Sequence, residues 1–177
     1  MSALALGADG RRRCGWGAST PDYVTYHDEE WGRPVRDDRG IYERLVLEGF
    51  QSGLSWLTIL RKREGFRTAF ANFEIERVAG FGERDVNRLL NDAGIVRHRG
   101  KIEAAIENAR RSLELRAEAG SLAAHLWRFE PLERARPRHL TLAALRGMTT
   151  TPASIALSRD LRRREAPRAA ERAVGAG

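Results

Sequence analysis

Glu48 is the carboxylate whose place in the sequence points most directly to chemistry. At about 100° per residue of an α-helix it falls about 20° from Ile41 and about 60° from Leu45, at the edge of an apolar stripe. One interpretation is a glutamate that lies along the rim of that stripe or pairs with Arg44 or Arg61. The other is a partly desolvated carboxylate that faces a pocket, where it could accept hydrogen bonds from a ligand or stabilise positive charge.

Aromatic residues are dense around Glu48 in the sequence: Trp16, Tyr23, Tyr26, Trp31 and Trp56. Packing in the core is the ordinary interpretation of such side chains. The first four, however, lie in a segment punctuated by glycine and proline, where aromatic faces more often line a cleft. Aromatic faces together with one carboxylate suit a flat, cationic base, which gains from the ring quadrupole and from the negative charge.

Cys14 and His27 could form half of a metal site. Their spacing is looser than that of a C-x-x-C knuckle, and a structural zinc ion takes four ligands. The chain has one cysteine, and its other histidines, His98, His125 and His139, fall on different predicted elements. A buried thiol beside a hydrogen-bonded histidine is the alternative interpretation.

Helices are predicted to position these residues, because no stretch alternates in the manner of a β-strand. We predict a flexible, basic lead-in over 1–12, a helical domain over 13–161 and a disordered or marginally helical tail over 162–177. Residues 14–36 are predicted to be irregular. The fold class predicted is all-α.

Local signals mark where several of these helices begin. Asp38 and Ser55 are predicted N-caps, Ser121 begins a shorter helix, and Thr151 followed by Pro152 gives a cap and a first helical position. The Ser55 helix is predicted to continue toward Phe66 and Phe70. Apolar residues at helical spacing also predict helices over 83–93 and 101–119.

Composition indicates a soluble protein and allows a polyanionic partner, although a GC-rich coding sequence would also give an excess of arginine. The 177 residues carry 31 basic and 24 acidic side chains, a net charge of +7, and only Lys62 and Lys101 among the basic residues are lysine. Arginine suits bidentate contacts with phosphate. The single cysteine allows no internal disulfide, and neither a signal peptide nor a membrane span is indicated, so we expect a cytoplasmic monomer with no membrane or protein partner.

Four ordered motifs resemble those of the DNA-3-methyladenine glycosylase I (Tag) family, within the helix-hairpin-helix glycosylase superfamily. They are Arg13–Trp16 (RCGW), Tyr26–Gly32 (YHDEEWG), Leu47–Trp56 (LEGFQSGLSW) and Ala93–Lys101 (AGIVRHRGK). The resemblance extends from about residue 13 to about residue 161. It implies an enzyme that flips 3-methyladenine out of alkylated double-stranded DNA and hydrolyses its N-glycosidic bond.

The resemblance also implies roles for individual residues. Glu48 matches the catalytic carboxylate of the pocket, Tyr26 and Trp56 match the walls on which the base stacks, and Trp16 and Tyr23 match other aromatic residues of the base-binding pocket. In the metal site, Cys14 and His27 match two of the family's four ligands to a structural zinc.

Positive charge at the start of the helix near residue 99 suggests contacts with the DNA backbone. Arg97, Arg99 and Lys101 are the candidates, and solvated surface charge is the alternative. In the family, the region after Leu161 supplies a DNA-gripping hairpin and then a histidine and a cysteine that complete the zinc site. The sequence RRREAPRAAERAVGAG over 162–177 contains neither. An altered reading frame or a truncation would give such a tail, and the alternative function is therefore an inactive, basic DNA-binding helical module.

Overall fold

A computed structural model describes residues 4–133 and 150–174, and almost all of its regular structure is helical, which confirms the all-α prediction. The prediction for His139 lies outside the described residues. The α-helices in chain order are α1 Pro21–Glu29, α2 Asp38–Gln51, α3 Trp56–Arg61, α4 Arg63–Ala69, α5 Ile75–Ala79, α6 Glu83–Leu90, α7 Arg99–Ala119, α8 Leu122–Trp127 and α9 Pro152–Val174. Two short 3-10 helices cover Gly15–Ala18 and Ala71–Phe73. No helix in the described part of the chain is long and apolar enough to cross a membrane.

The described residues divide into two units, the first ending at Ala124 and the second beginning at His125. The sequence predicted a single helical domain over 13–161. In the first unit, α5 and α2 pack against α7, and α3 contacts both α1 and α2.

The N-terminal residues differ from the flexible lead-in predicted for 1–12. Strands β1 Leu4–Leu6 and β2 Arg12–Cys14 form an antiparallel hairpin in which Leu4 is opposite Cys14. Hydrogen bonds of Arg13 explain why this segment is structured. Its buried guanidinium bonds Asp9 at 2.8 and 2.6 Å and Asp28 at 2.6 Å, which ties the hairpin to α1.

Two of the predicted N-caps, Ser55 and Thr151, are confirmed by the structure. The Ser55 oxygen accepts from the N–H of Thr58 at 3.2 Å, and the Thr151 oxygen accepts from the N–H of Ser154 at 3.1 Å. The cap of α2 is Asp37, which accepts from Gly40 N–H at 2.8 Å, and not the predicted Asp38.

Asp38 instead caps a different helix. Its carboxylate accepts from the N–H of Ala123 near the start of α8 at 2.9 Å. The helix predicted from Ser55 toward Phe70 is also interrupted, because α3 ends at Arg61 and α4 begins at Arg63.

The first unit buries a continuous set of aromatic rings. The ring centroids of Phe50 and Phe66 are 4.7 Å apart, and the rings of Phe70 and Phe73 stack at 6.0 Å. Tyr42 is fully buried, and its hydroxyl donates to the carbonyl of Ala105 at 2.8 Å, which joins α2 to α7. Through Phe50 and Tyr42, this core holds α2, the helix that also carries Glu48.

The second unit contains the end of α8 and the helix α9. His125 is fully buried, and its Nε2 lies 2.8 Å from a carboxylate oxygen of Asp160, which also accepts from Arg164 at 3.0 Å. The helix α9 runs to Val174, whereas residues 162–177 were predicted to be disordered or marginally helical. A helix is one of the two predicted alternatives, and it agrees with the arginine, alanine and glutamate of this stretch, which are strong helix formers; Pro167 is the exception.

Candidate active site

A pocket of about 260 Å³ lies among the first helices of the chain. It is lined by Trp16, Tyr23, Tyr26, Trp31, Glu48, Gln51 and Trp56. The structure therefore brings together all five residues that the sequence analysis placed in the base pocket. Two further lining residues, Trp31 and Gln51, were not assigned to the site from the sequence.

Helix α1 carries two of the lining residues, and its presence corrects the irregular segment predicted for 14–36. Thr20 caps the helix by accepting from the N–H of Tyr23 at 3.2 Å, and Pro21 occupies the first helical position. Tyr23 and Tyr26 are three residues apart, so they lie on the same face of the helix. A start signal of Thr followed by Pro was therefore present in the sequence and could have revealed the helix.

Helix α2 supplies the polar side of the pocket. Glu48 and Gln51 are also three residues apart and share one face near the end of that helix. This spacing is the signal that would have found Gln51. After α2 the chain turns through Gly53, whose φ of 79° favours glycine, and Trp56 then opens α3.

Aromatic contacts hold the rings of the pocket against one another. The Trp16 ring meets the edges of Tyr23 and Trp31, with centroids 5.5 and 5.3 Å away. Trp16 and Trp31 are 38% and 46% exposed, so they line an open surface and do not fill the core. This exposure favours the cleft interpretation over core packing for these two residues.

Tyr26 and Trp56 form neighbouring walls of the pocket. Their ring centroids are 5.4 Å apart, and the planes are tilted by 53°. A flat base inserted between two parallel rings needs a gap of about 7 Å, since each stacking contact takes about 3.5 Å. The two rings can therefore offer adjacent faces to a base, but they cannot sandwich it in this arrangement.

Glu48 faces the pocket as an exposed carboxylate, not as the partly desolvated one considered from the sequence. The pairing alternative does not hold, because Arg44 pairs with Glu30 at 3.8 Å and Arg61 with Asp22 at 3.1 Å. Among the described residues, Glu48 has no hydrogen-bond or ion-pair partner. Its oxygens can therefore accept hydrogen bonds from a ligand.

Burial affects the polar groups of Tyr26 and Trp56. Burial raises the pKa of the Tyr26 phenol, and the nearby negative charges of Glu48 and Glu30 act in the same direction, so Tyr26 stays protonated at neutral pH. The indole nitrogen of Trp56 is buried and has no hydrogen-bond partner among the described residues. Such an unpartnered donor costs about 1–3 kcal/mol.

The three candidates for DNA backbone contacts differ in how their charges are used. Arg97 is exposed, and no partner for it exists among the described residues. Arg99 bonds Glu83 at 3.1 Å and Glu103 at 3.2 Å. The Lys101 ammonium donates to the carbonyl of Phe50 at 2.9 Å, so it satisfies the end of α2.

Cys14 and His27 do lie side by side, although they do not complete a metal site. The backbone N–H of Cys14 donates to Nε2 of His27 at 3.4 Å, and Nδ1 of His27 lies 3.0 Å from Asp28. Within residues 4–133 and 150–174 no group of three or more His, Cys, Asp or Glu side chains could hold a metal ion. The described residues therefore do not fit a structural zinc, which takes four ligands.

Comparison with known proteins follows the same part of the chain. A family model described as methyladenine glycosylase matches residues 16–169. DNA-3-methyladenine glycosylase 1 of Escherichia coli K12 is 44% identical over 152 residues, which cover 86% of this chain and 80% of that protein.

Two solved structures extend the comparison to the fold. A crystal structure of 3-methyladenine DNA glycosylase I (TAG) aligns with a TM-score of 0.75 and 45% identity, covering 86% of this chain and 82% of the other. A variant of 3-methyladenine DNA glycosylase I in complex with 3-methyladenine aligns with a TM-score of 0.71 and 34% identity, covering 85% and 80%. From its motifs, its fold and these similarities, the chain belongs to the methyladenine glycosylase family.

Proposed function

We propose that this chain is a DNA repair glycosylase that flips 3-methyladenine out of alkylated double-stranded DNA and hydrolyses its N-glycosidic bond. One observation carries the proposal. The carboxylate of Glu48, without a partner among the described residues, lies in a pocket walled by Tyr26 and Trp56. Such a pocket suits a flat ring that carries a positive charge.

The charge on the base explains why so little catalytic machinery is needed. Methylation at N3 makes adenine cationic, so the base is already a good leaving group. Water adds to C1′ of the sugar while the bond from C1′ to the base breaks, and the electron pair of that bond neutralises the departing base. The water gives up a proton to the solvent, and an abasic site remains.

Glu48 is proposed to be the catalytic residue of this reaction. Its carboxylate accepts hydrogen bonds from the flipped base and stabilises positive charge in the pocket. Tyr26 and Trp56 bind the ring on their adjacent faces, while Trp16 and Tyr23 close the aromatic side of the pocket. None of the seven lining residues is a lysine, so strand cleavage through a Schiff base is not expected.

Arg97, Arg99 and Lys101 are proposed to contact phosphates of the DNA backbone. Arg97 is the strongest of the three, because its charge is exposed and has no partner among the described residues. The chain is proposed to act as a monomer. We also propose the cytoplasm as its compartment, since the chain has one cysteine and no disulfide to protect.

Release of free 3-methyladenine from methylated duplex DNA tests the proposal. The wild-type chain is expected to release the base, and Glu48→Gln is expected to lose at least about tenfold in single-turnover rate while its affinity for unmodified DNA is unchanged. Glu29→Gln is the matched control, because Glu29 is exposed and does not line the pocket. A chain that binds DNA and releases no base would be a helical DNA-binding module instead.

A further inference from the structure

Arg63 joins two carboxylates that come from two different helices. At the start of α4, its Nη1 donates to both oxygens of Glu30 at 2.7 Å, and its Nε donates to Glu43 at 2.7 Å. The side chain of Arg63 is 14% exposed and that of Glu43 is 12% exposed. None of the three residues lines the pocket.

The two partners of Arg63 lie on the helices that carry pocket residues. Glu30 ends α1, and its N–H donates to the carbonyl of Tyr26 at 3.0 Å. Glu43 lies on α2, five residues before Glu48. Arg63 itself begins α4, separated by one residue from the end of α3, the helix that Trp56 begins. Through its guanidinium, Arg63 joins the end of α1 and helix α2, which both carry pocket residues, to the start of α4.

The chemistry of this junction requires arginine. Burial acts to lower the pKa of Arg63, but the hydrogen bonds to Glu30 and Glu43 outweigh it and raise the pKa, so the charge is retained. Its planar fork presents several N–H groups in fixed directions, whereas the ammonium of lysine is a point charge on a flexible stem. Lysine would therefore keep the charge and lose the geometry.

Additional arginines balance the charge of the two carboxylates. Arg67 lies 2.9 Å from Glu43, and Arg44 lies 3.8 Å from Glu30. Replacement of Arg63 by lysine therefore leaves neither carboxylate without a cationic neighbour. The defect expected is one of placement, with the helices free to shift by small distances.

We propose that Arg63 is a positioning residue, which sets the relative placement of Tyr26, Glu48 and Trp56 without touching the base. This inference rests on the glycosylase function proposed above. A displacement of reacting groups by about 1 Å costs on the order of 100-fold in rate. Small shifts of α1 against α2 would therefore slow excision while the fold remains intact.

The test compares Arg63→Lys with Arg116→Lys. Arg116 also forms an ion pair between helices, since it bonds Glu76 across α7 and α5, but neither residue lines the pocket. Single-turnover excision of 3-methyladenine, affinity for unmodified DNA and urea unfolding are measured for both variants. Arg63→Lys is expected to lose at least about tenfold in excision rate at full folded fraction, with DNA affinity unchanged. Arg116→Lys is expected to keep the wild-type rate.

A second variant keeps the proposal testable if Arg63→Lys folds poorly. Glu30→Gln weakens the link to α1 and leaves the bond between Arg63 and Glu43, so it should lower the excision rate in the same direction. Wild-type rates in Arg63→Lys or Glu30→Gln, or an equal loss in Arg116→Lys, would overturn the inference.

Binding of free 3-methyladenine is measured by the quenching of tryptophan fluorescence. It separates failure of the positioning role from failure of the proposed glycosylase function. A wild-type chain that neither releases nor binds the base contradicts the glycosylase proposal itself. A wild-type chain that binds the base, with Arg63→Lys binding it equally well and excising it equally fast, contradicts only the positioning role.

Discussion

The phenol oxygen of Tyr23 accepts a hydrogen bond from the backbone N–H of Leu57 at 3.1 Å. The first N–H groups of a helix have no partner within the helix, so a pocket residue on α1 completes the start of α3. Trp56 is the residue immediately before Leu57. The hydroxyl of Tyr23 therefore fixes the helix end that carries one wall of the pocket.

Tyr23→Phe is expected to lower both stability and excision. Loss of this hydrogen bond should reduce the free energy of unfolding by about 1 kcal/mol, measured by urea titration. Because the start of α3 is no longer held, Trp56 should be less well placed, and the single-turnover excision rate should fall.

Tyr42→Phe is the matched control for that prediction. Its hydroxyl donates to Ala105 at 2.8 Å in the core, away from the pocket, so its removal should also cost about 1 kcal/mol in unfolding free energy. Excision by the folded Tyr42→Phe protein should equal that of the wild type. Equal excision rates for Tyr23→Phe and Tyr42→Phe would show that the bond to Leu57 does not position Trp56.

Sequence signals found the parts of the site that depend on local interactions. The cap at Ser55 and the motif around Glu48 could be predicted because both depend on neighbours within a few residues. Helix α1 was missed because the glycines and prolines around it suggested a loop, although Thr20 and Pro21 marked its start. Gln51 was missed although its spacing from Glu48 was visible.

Other features depend on contacts between residues far apart in the chain. The hairpin at the N-terminus is held by Arg13, whose partner Asp28 lies 15 residues away. Arg63 bonds residues 33 and 20 positions earlier, so charge spacing along the sequence gives no sign of the junction. Only the packing of the helices shows which arginines are engaged and which, like Arg97, remain exposed.

Gly17→Ala is expected to disturb the aromatic cluster. A Cβ atom at position 17 would lie 2.5 Å from Cδ2 of His27, too close for a real contact. Because the His27 ring stacks on Trp31 and meets Trp16, the clash should move two residues of the pocket wall. The expected destabilisation is about 1–3 kcal/mol in urea unfolding, typical of overpacking.

Gly15→Ala provides the control for this substitution. Gly15 lies in the same 3-10 helix, and a Cβ atom there meets nothing within 4 Å. Gly15→Ala should therefore keep the wild-type stability and the wild-type near-ultraviolet circular dichroism of the aromatic rings. If both glycine variants unfold at the same urea concentration as the wild type, the close packing of Gly17 on His27 is not present in solution.

Glu76→Gln is expected to show a pH-dependent loss of stability. The hydrogen bond from Arg116 holds the pKa of Glu76 below its ordinary value of 4.5. A carboxyl with a lowered folded-state pKa adds stability above its unfolded-state pKa, and that stability is lost as the pH falls through the folded-state pKa. The variant should be less stable than wild type at pH 7, by no more than about 1 kcal/mol for such an exposed pair.

The difference between the two proteins should shrink as the pH falls below the ordinary pKa of Glu76, and also when salt screens the pair. Thermal unfolding from pH 7 to pH 3 measures this, with Glu29→Gln as an exposed glutamate that forms no ion pair among the described residues. A stability gap that is constant over the whole range would exclude the ion pair as its source.

Arg97→Ala is expected to weaken binding to DNA without changing the chemistry of excision. An arginine that contacts one phosphate releases one counterion, so its removal should lower the slope of log affinity against log salt concentration by about 1. The loss should be the same for methylated and unmodified duplexes, because a phosphate contact carries no information about the base. Single-turnover excision at saturating protein should be unchanged.

Arg99→Ala is the comparison for Arg97→Ala, because it removes an arginine that is already ion-paired within the protein. Arg99 already bonds Glu83 and Glu103, so its removal also frees two carboxylates and should disturb the start of α7. A lower salt slope in Arg97→Ala together with a wild-type slope in Arg99→Ala would assign the phosphate contact to Arg97. If Arg97→Ala binds DNA with the wild-type slope, Arg97 does not contact the backbone.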